Sequence, residues 1–239
     1  MDNNTKKELL ETSKKNYNKI ATDFNETRKK NLWPPLLEII DKNIESGDKI
    51  LDVGCGSGRL FRILQDKNIK YLGVDNSKSM IDVSKKEFSD FAGCFIEGDL
   101  LNLGLINDVD FDYVMCIAVL HHIPSFELRL QALQQMKNKV RYSKDKKGKI
   151  ILTVWNMWSR KKFLKLIFKF YILKLLNKNN LERGDILFNW KNPQKNILSK
   201  RYYHAFTKRE LKKIINKASL EIDYYFKDKF NYYFILSLT

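Results

Sequence analysis

A glycine-rich loop that begins with an acidic residue is the strongest chemical signal in the sequence. It runs Asp52-Val53-Gly54-Cys55-Gly56-Ser57-Gly58, directly after a short apolar segment and directly before a predicted helix. Glycines in that context allow a tight turn and a close approach of the backbone to a ligand. Because the spacing is GxGxG and no Gly-Lys-Ser/Thr follows, neither a dinucleotide nor a nucleoside triphosphate is indicated.

Two further carboxylates follow the next predicted strands. Asp75 ends the strand predicted over 71–75, at a distance from the loop where a carboxylate can accept both hydroxyls of a ribose. Asp99 follows the next strand, where it is placed to accept the exocyclic amine of an adenine. The loop and these carboxylates together predict an adenine nucleoside site at the ends of the strands.

The elements that must position these residues alternate between strands and helices. Strands are predicted at 49–53, 71–75, 94–96, 111–119 and 149–155, and helices at 60–64, 80–88 and 126–140. This alternation predicts a parallel sheet with right-handed crossovers. A capped helix at 207–217 and strands at 221–226 and 232–238 end the chain. The last two strands form a hairpin, so we predict a doubly wound, Rossmann-like α/β sheet of seven strands with an antiparallel last strand.

We expect a single domain over residues 1–239. Its predicted parts are N-terminal helices (1–48), a ligand-binding core (49–155), a basic insertion (156–200) made of one helix and a loop, and a C-terminal helix and hairpin (201–239). The polar amino terminus, three cysteines without a CxxC pair and no run of about 18 apolar residues give no sign of a signal peptide, a disulfide framework or a membrane span. We therefore expect a cytoplasmic protein.

Positive charge is concentrated in one part of the chain. The 239 residues carry 44 Lys and Arg against 28 Asp and Glu, a formal net charge of +16, and residues 160–201 alone contribute +10. Such a surface suits a polyanion. The helix at 163–176 also has an apolar face, so RNA contact, packing on the core and peripheral contact with a membrane all fit this segment.

Four motifs in order resemble those of class I S-adenosylmethionine (SAM)-dependent methyltransferases: LDVGCGSG, GVDNS, EGDLLNL and FDYVMCIAVLHH, within residues 45–155. The resemblance implies SAM as cofactor and no metal. The cofactor-binding residues that it implies are Tyr17, Asp52, Gly54, Gly56, Gly58, Asp75, Asn76, Asp99, Leu100 and Ile117.

Segments outside that core resemble one subfamily, the tRNA methyltransferases that esterify 5-carboxymethyluridine at the wobble position. The segments are Tyr17 to Arg28 with Trp33-Pro34, Ile117 to His122, Thr153 to Trp155, Gly184-Asp185, Trp190-Lys191 and Arg201-Tyr202-Tyr203-His204. The stretch between Arg28 and Trp33 is one residue longer than in the subfamily, and Lys146-Lys147-Gly148 replaces its Pro-Gly-Gly. The resemblance implies a tRNA anticodon loop as substrate and a small zinc-binding activator protein as partner.

Methyl transfer to a carboxylate fits the implied residues. A carboxylate has a pKa of about 4, so it is ionised at neutral pH and needs no general base. Cations would orient it, and aromatic rings would stack on a flipped-out base. The implied catalytic residues are Arg28, His122, Arg201 and His204, and the implied substrate-binding residues are Trp33, Trp155, Tyr202 and Tyr203. The histidines and tyrosines fit a purely structural role as well.

Two other functions fit parts of the sequence. One is a SAM-dependent O-methyltransferase of small molecules, and the other is a non-catalytic basic module that docks on RNA or a membrane. Methylation of base amines is not indicated, since no Asn/Asp-Pro-Pro-Tyr follows the fourth strand. Attack on pyrimidine C5 is not indicated either, because no Pro-Cys is present there and Cys116 lies within the strand itself.

Overall fold

The computed structural model describes residues 1–27, 32–143, 147–191 and 197–239. In chain order the strands are β1 (Lys49–Val53), β2 (Lys70–Asp75), β3 (Phe95–Glu97), β4 (Tyr113–Ile117), β5 (Lys149–Trp155), β6 (Asp185–Lys191), β7 (Ile197–His204), β8 (Leu220–Lys227) and β9 (Asn231–Leu238). The helices are α1 (Asn3–Thr27), α2 (Pro34–Asn43), α3 (Phe61–Leu64), α4 (Lys78–Glu87), α5 (Phe126–Lys137), α6 (Lys161–Leu175) and α7 (Lys208–Lys217). Short 3-10 turns complete several connections.

Seven of the strands form one sheet in the order β3-β2-β1-β4-β5-β9-β8. The first five are parallel, and β9 enters antiparallel between β5 and β8. The predicted fold class is therefore confirmed. The strand order reverses direction between β1 and β4, and ligands of open α/β sheets bind in the crevice at the carboxyl ends of the strands at such a point.

Apolar layers cover both faces of the sheet, as the apolar sequence of its central strands requires. On one face α5 and α7 pack Leu133 and Ile214 against the sheet, and on the other α2 and α3 pack Ile40 and Phe61. Cys116 in β4 is completely buried in this core, as its position within the strand predicted. The core fixes the strands rigidly, so the loops at their carboxyl ends have a stable base.

The basic insertion contains a hairpin that the sequence analysis missed. β6 and β7 pair antiparallel in a sheet of their own, with Asp185 opposite His204. The expectation of a loop after the insertion's helix was therefore wrong, and the predicted boundary at residue 200 falls inside β7. The apolar side chains of Ile186 and Phe188 pack against Phe163 and Ile167 of α6, so the helix and the hairpin form a small core of their own.

Helix α1 connects the main sheet with this hairpin. Its Asn18 side chain accepts hydrogen bonds from the Ser77 hydroxyl (2.8 Å) and the Ser79 backbone N–H (3.1 Å) at the start of α4. The same helix contacts β7 of the hairpin. In this position α1 covers the carboxyl ends of the strands. Across the described ranges, no helix combines the length and apolarity needed to cross a membrane.

Candidate active site

The glycine loop has the backbone conformation that its sequence predicts. Gly54, Gly56 and Gly58 have φ values of +75°, +57° and +79°, a region that side-chain-bearing residues rarely adopt. A Cβ atom at Gly54 would lie 2.3 Å from a methyl group of Val119, whereas one at Gly56 would meet nothing within 4 Å. The backbone is therefore open at Gly56, where a ligand can approach it closely.

The carboxylates at the ends of β1 and β2 are held by hydrogen bonds. Asp52 accepts one from the Tyr71 hydroxyl (2.7 Å), and Asp75 accepts one from the Gly56 N–H (3.0 Å) and one from the Ser77 N–H (2.8 Å). Burial raises the pKa of Asp52 to about 7, against the lowering effect of Tyr71. Burial also raises the pKa of Asp75. A cation or a hydrogen-bond donor in this crevice would favour the ionised form of both.

Most of the predicted site residues surround one cavity at this edge of the sheet. Those that line it are Tyr17, Trp33, Asp52, Gly54, Gly56, Asp75, Asn76, Asp99, Leu100, Ile117, His122, Trp155, Arg201 and Tyr203. Gly58, Tyr202 and His204 do not line it, and Arg28 lies outside the described residues. At Gly58 a Cβ would lie 2.6 Å from the Phe88 ring, so this glycine is required for packing behind the loop.

Arg201 places a positive charge in the cavity wall. Its guanidinium lies 4.9 Å from the ring centroid of Tyr17 and 5.6 Å from that of Phe24, and its Nη1 donates to the Tyr203 hydroxyl (3.2 Å). The residue is only 3% exposed. Contacts on aromatic faces and a hydrogen bond fix the orientation of this cation, and α1 contributes both rings.

His122 is neutral, in contrast to its expected role as a cation. Its Nε2 lies 3.0 Å from the Tyr17 hydroxyl oxygen. Burial, with a smaller contribution from Arg201, lowers the pKa of His122 to about 3. The adjacent His121 is completely buried, its Nδ1 lies 3.4 Å from the Trp155 N–H, and burial lowers its pKa well below the usual value. At neutral pH, His122 therefore orients Tyr17 by hydrogen bonding and carries no charge.

Trp155 and Tyr203 form an aromatic wall of the cavity. Their rings are stacked with centroids 5.1 Å apart at 17°, and Tyr203 stacks in turn on Phe188 at 4.9 Å. Tyr203 is completely buried, whereas Trp155 is partly exposed. Tyr203 therefore supports Trp155 from behind, and Trp155 is the ring that can contact a base.

Tyr202 and His204 point away from the cavity, which corrects their predicted roles. Successive side chains of a strand point to opposite sides, so Arg201 and Tyr203 share one side of β7 and these two residues share the other. The Tyr202 hydroxyl donates to Asp185 (2.7 Å), and the His204 ring nitrogens lie 2.6 Å from Asp185 and 2.7 Å from Glu210. Both residues anchor the hairpin, and neither reaches an acceptor in the cavity.

Arg129 of α5 lies at the centre of this second cluster. It is completely buried and makes ion pairs with Glu182 (2.8 Å) and Glu210 (3.1 Å) and a longer one with Asp185 (3.7 Å). Glu182, Asp185 and His204 bring potential metal ligands within 4.8 Å of one another. The guanidinium already supplies the positive charge there, so this cluster joins α5, α7 and the hairpin as a structural ion-pair network.

Among the lining residues that were not sequence candidates, one supplies a cation and one an aromatic ring. Arg59 lies with its guanidinium 5.5 Å from the ring centroid of Trp33, and Phe24 lies beside Arg201. The available signal for Arg59 was its position directly after the glycine loop. The signal for Phe24 was its spacing of seven residues from Tyr17, which places both rings on one face of α1.

Comparisons with known proteins agree with this geometry. Residues 50–142 match the family described as a methyltransferase domain. The chain is 29% identical, over 92% of its own length and 92% of the relative's, to the tRNA (carboxymethyluridine(34)-5-O)-methyltransferase of Schizosaccharomyces pombe. It is 31% identical to the mouse protein with the same activity in its name, over 63% of this chain but only 21% of that protein. A SAM-dependent methyltransferase from Methanosarcina mazei has the same fold, with a TM-score of 0.68 and 21% identity over 87% of this chain and 99% of that one.

The sheet order and the glycine loop with its carboxylates agree with the matched family, and residues 50–142 form a methyltransferase domain. The chain shares its fold with SAM-dependent methyltransferases. Within that class, the chain resembles the tRNA carboxymethyluridine methyltransferases along nearly its whole length.

Proposed function

We propose that this enzyme methylates the carboxylate of 5-carboxymethyluridine at the wobble position of tRNA. The observation that carries the proposal is the fixed guanidinium of Arg201 in the wall of the cavity, which Arg59 also lines and where the strand ends supply carboxylates. A cation in that position suits an anionic acceptor. The curated relatives named for this reaction support the assignment.

The residues of the glycine loop and the strand ends fit SAM. Bound SAM supplies an electrophilic methyl group on a sulfonium. Gly56 exposes its backbone to the cavity, and Asp75 is pre-oriented by two backbone N–H groups to accept from ribose hydroxyls. Asp99 lines the cavity beside Leu100, while its side chain also accepts from the Leu101 N–H (2.9 Å). We assign Asp52, with its raised pKa, to the neighbourhood of the cationic end of the donor.

On the acceptor side, the residues orient the substrate and do not remove a proton. The acceptor carboxylate, with a pKa of about 4, is already ionised at neutral pH. Arg201 aligns this carboxylate. The Tyr17 ring packs against the Arg201 guanidinium, and His122 orients Tyr17. Trp155 stacks on the base. Arg28 stays a proposed second cation. Holding the donor and the acceptor in line lowers the barrier by proximity and orientation.

We further propose the partners and compartment of the reaction. The anticodon loop of tRNA is the macromolecular substrate, and a small zinc-binding activator protein is a partner, as the subfamily resemblance implies. The three cysteines are unpaired, which is consistent with a reducing compartment, and we propose the cytoplasm.

The test is nucleoside analysis of carboxymethyluridine-containing tRNA after incubation with SAM and the enzyme, with and without the activator. Arg201→Ala is expected to lower the rate of ester formation by roughly 10²–10³-fold, since it removes the preorganised positive charge at the acceptor. SAM affinity, measured by calorimetry, should stay near the wild-type value because the donor-binding carboxylates are intact. Arg209→Ala, at an exposed arginine of α7, is the matched control. Ester formation by Arg201→Ala at the wild-type rate would contradict the proposed role.

A further inference from the structure

The turn between β8 and β9 lies beside the mouth of the cavity. Because β9 runs antiparallel to β5, Asn231 at its start pairs with Trp155 at the end of β5. The Asn156 N–H donates to the Phe230 carbonyl oxygen (2.7 Å), and the Asn156 side chain donates to the Asp228 carbonyl oxygen (2.8 Å). The turn is thereby fixed next to Trp155, which lines the cavity.

A row of aromatic rings and one arginine leads from Trp155 to the surface. Phe163 has its ring centroid 6.3 Å from that of Trp155. The Arg160 guanidinium lies 4.9 Å from the Phe163 ring centroid and 5.9 Å from that of Phe230. Phe230 is 49% exposed. The row therefore ends in an exposed ring that carries a cation beside it.

The surroundings of Phe230 are positively charged. Lys161 and Lys162 follow Arg160 in the chain, Lys227 and Lys229 belong to the turn region of Phe230, and all four are exposed. The acidic residue of the turn, Asp228, accepts hydrogen bonds from the Phe230 and Asn231 N–H groups (both 2.6 Å) and from the Tyr233 hydroxyl (2.9 Å). Its oxygens are engaged by the turn itself, so the outward surface presents cations around an aromatic ring.

We infer that this surface, the Phe230 ledge (Arg160, Lys161, Lys162, Lys227, Lys229 and Phe230), binds a nucleotide adjacent to the acceptor in a single-stranded RNA loop. A base stacks on Phe230, and the cations contact the neighbouring phosphates. Exposed aromatic rings among cations are the recurring design of surfaces that bind unpaired nucleic acid. The inference rests on the proposed function, because it takes the acceptor to be a nucleotide in an RNA loop.

The charge and the shape of the ledge favour RNA over a membrane or an apolar protein partner. An interfacial membrane helix presents a continuous apolar stripe on a helix, whereas Phe230 lies in a turn between two strands, among cations. Such a stripe exists on α6, where Phe168 and Ile172 are 59% and 53% exposed, at a different place. That stripe supplies a matched control for the ledge.

The experiment measures binding of a fluorescent anticodon stem-loop RNA, unmodified at the wobble position, to the full-length protein by anisotropy. Phe230→Ala is expected to weaken binding roughly tenfold through lost stacking, and Phe230→Trp is expected to restore it. Arg160→Ala is expected to reduce the slope of log affinity against log salt concentration by about one. Phe168→Ala should bind as the wild type does. Because both phenylalanines are exposed, the thermal midpoints of the variants should match that of the wild type.

The inference is overturned if Phe230→Ala binds the RNA as tightly as the wild type, or if Phe168→Ala weakens binding equally. Its failure is distinguishable from failure of the proposed function, because the RNA has no carboxymethyl group and no methyl transfer is measured. If the wild type forms the tRNA ester but Phe230→Ala binds the RNA normally, then only the proposed role of the ledge is contradicted. If the wild type forms no ester, with or without activator, but RNA binding still depends on Phe230, then only the proposed acceptor is contradicted.

Discussion

At the residue scale, burial decides which groups in the cavity carry charge. His122 is the clearest case, since a histidine next to a predicted RNA site is expected to be a cation. Its half-buried position beside Arg201 keeps it neutral, with a pKa of about 3, and its Nε2 serves the Tyr17 hydroxyl. Burial favours the neutral form of Asp52 as well, and for this acid it raises the pKa to about 7. Arg201 then carries the positive charge of this part of the wall.

The raised pKa of Asp52 predicts a specific dependence of stability on pH. An acid whose pKa is higher in the folded state than its ordinary value of 3.8 stabilises the fold fully below pH 3.8, and this contribution is lost as the pH rises through about 7. A shift of this size corresponds to roughly 4 kcal/mol in total, of which about 2–3 kcal/mol is lost between pH 5 and pH 8. In Asp52→Asn, which retains an acceptor for Tyr71, the loss should be absent. Urea unfolding at pH 5 and pH 8 without SAM measures it, and an equal pH dependence in both proteins would contradict the assignment.

At the element scale, the main sheet could be predicted from the sequence and the β6–β7 hairpin could not. The strands of the core are apolar runs separated by helices, so their periodicity and order are visible in the sequence, and the terminal hairpin follows from the missing helix between the last two strands. The segment after α6 has glycine, asparagine and proline between Arg183 and Arg201, which reads as a loop. Its strands are stabilised by packing on α6, a contact between distant parts of the chain that local composition does not reveal.

The missed strand explains which site residues were placed wrongly. The sequence identified Arg201 to His204 as a group, but only the strand conformation of β7 divides the group into two sides. One side enters the cavity with Arg201 and Tyr203, and the other enters the ion-pair network with Tyr202 and His204. In contrast, the carboxylates at the ends of β1, β2 and β3 could be located from sequence, because the strand ends of a parallel sheet meet at one edge.

The ion-pair network predicts that one core arginine holds the hairpin in place. In Arg129→Met, three carboxylates lose their buried counter-charge, and removal of one partner from such a network costs about 3–5 kcal/mol. We expect that loss in the free energy of unfolding, measured with urea. Lys78→Met, which breaks the exposed pair with Asp82, is the control and should leave the stability nearly unchanged. Equal losses in both variants would show that Arg129 does not join these elements.

At the scale of the whole molecule, the net charge of +16 has two possible effects on RNA binding. The summed field attracts any polyanion from a distance, wherever the cations lie. Cations beside the cavity, in contrast, make direct contacts with phosphates and release counterions. The carboxyl edge of the sheet bears the cavity, the Phe230 ledge and the start of α6. Helix α4 connects β2 and β3 at one end of the strand order, whereas the ledge lies at the turn between β8 and β9 at the other end.

Two double variants of equal charge separate these effects. Lys227→Gln with Lys229→Gln removes two charges from the ledge, and Lys85→Gln with Lys86→Gln removes two exposed charges from the last turn of α4. If placement decides affinity, the ledge variant should lower the slope of log affinity against log salt concentration by about two, and the α4 variant should leave it nearly unchanged. Anisotropy titrations with the stem-loop RNA over a range of salt concentrations measure both slopes. Equal reductions in the two variants would mean that the enzyme attracts RNA through its overall field, with no preference for the edge that bears the cavity.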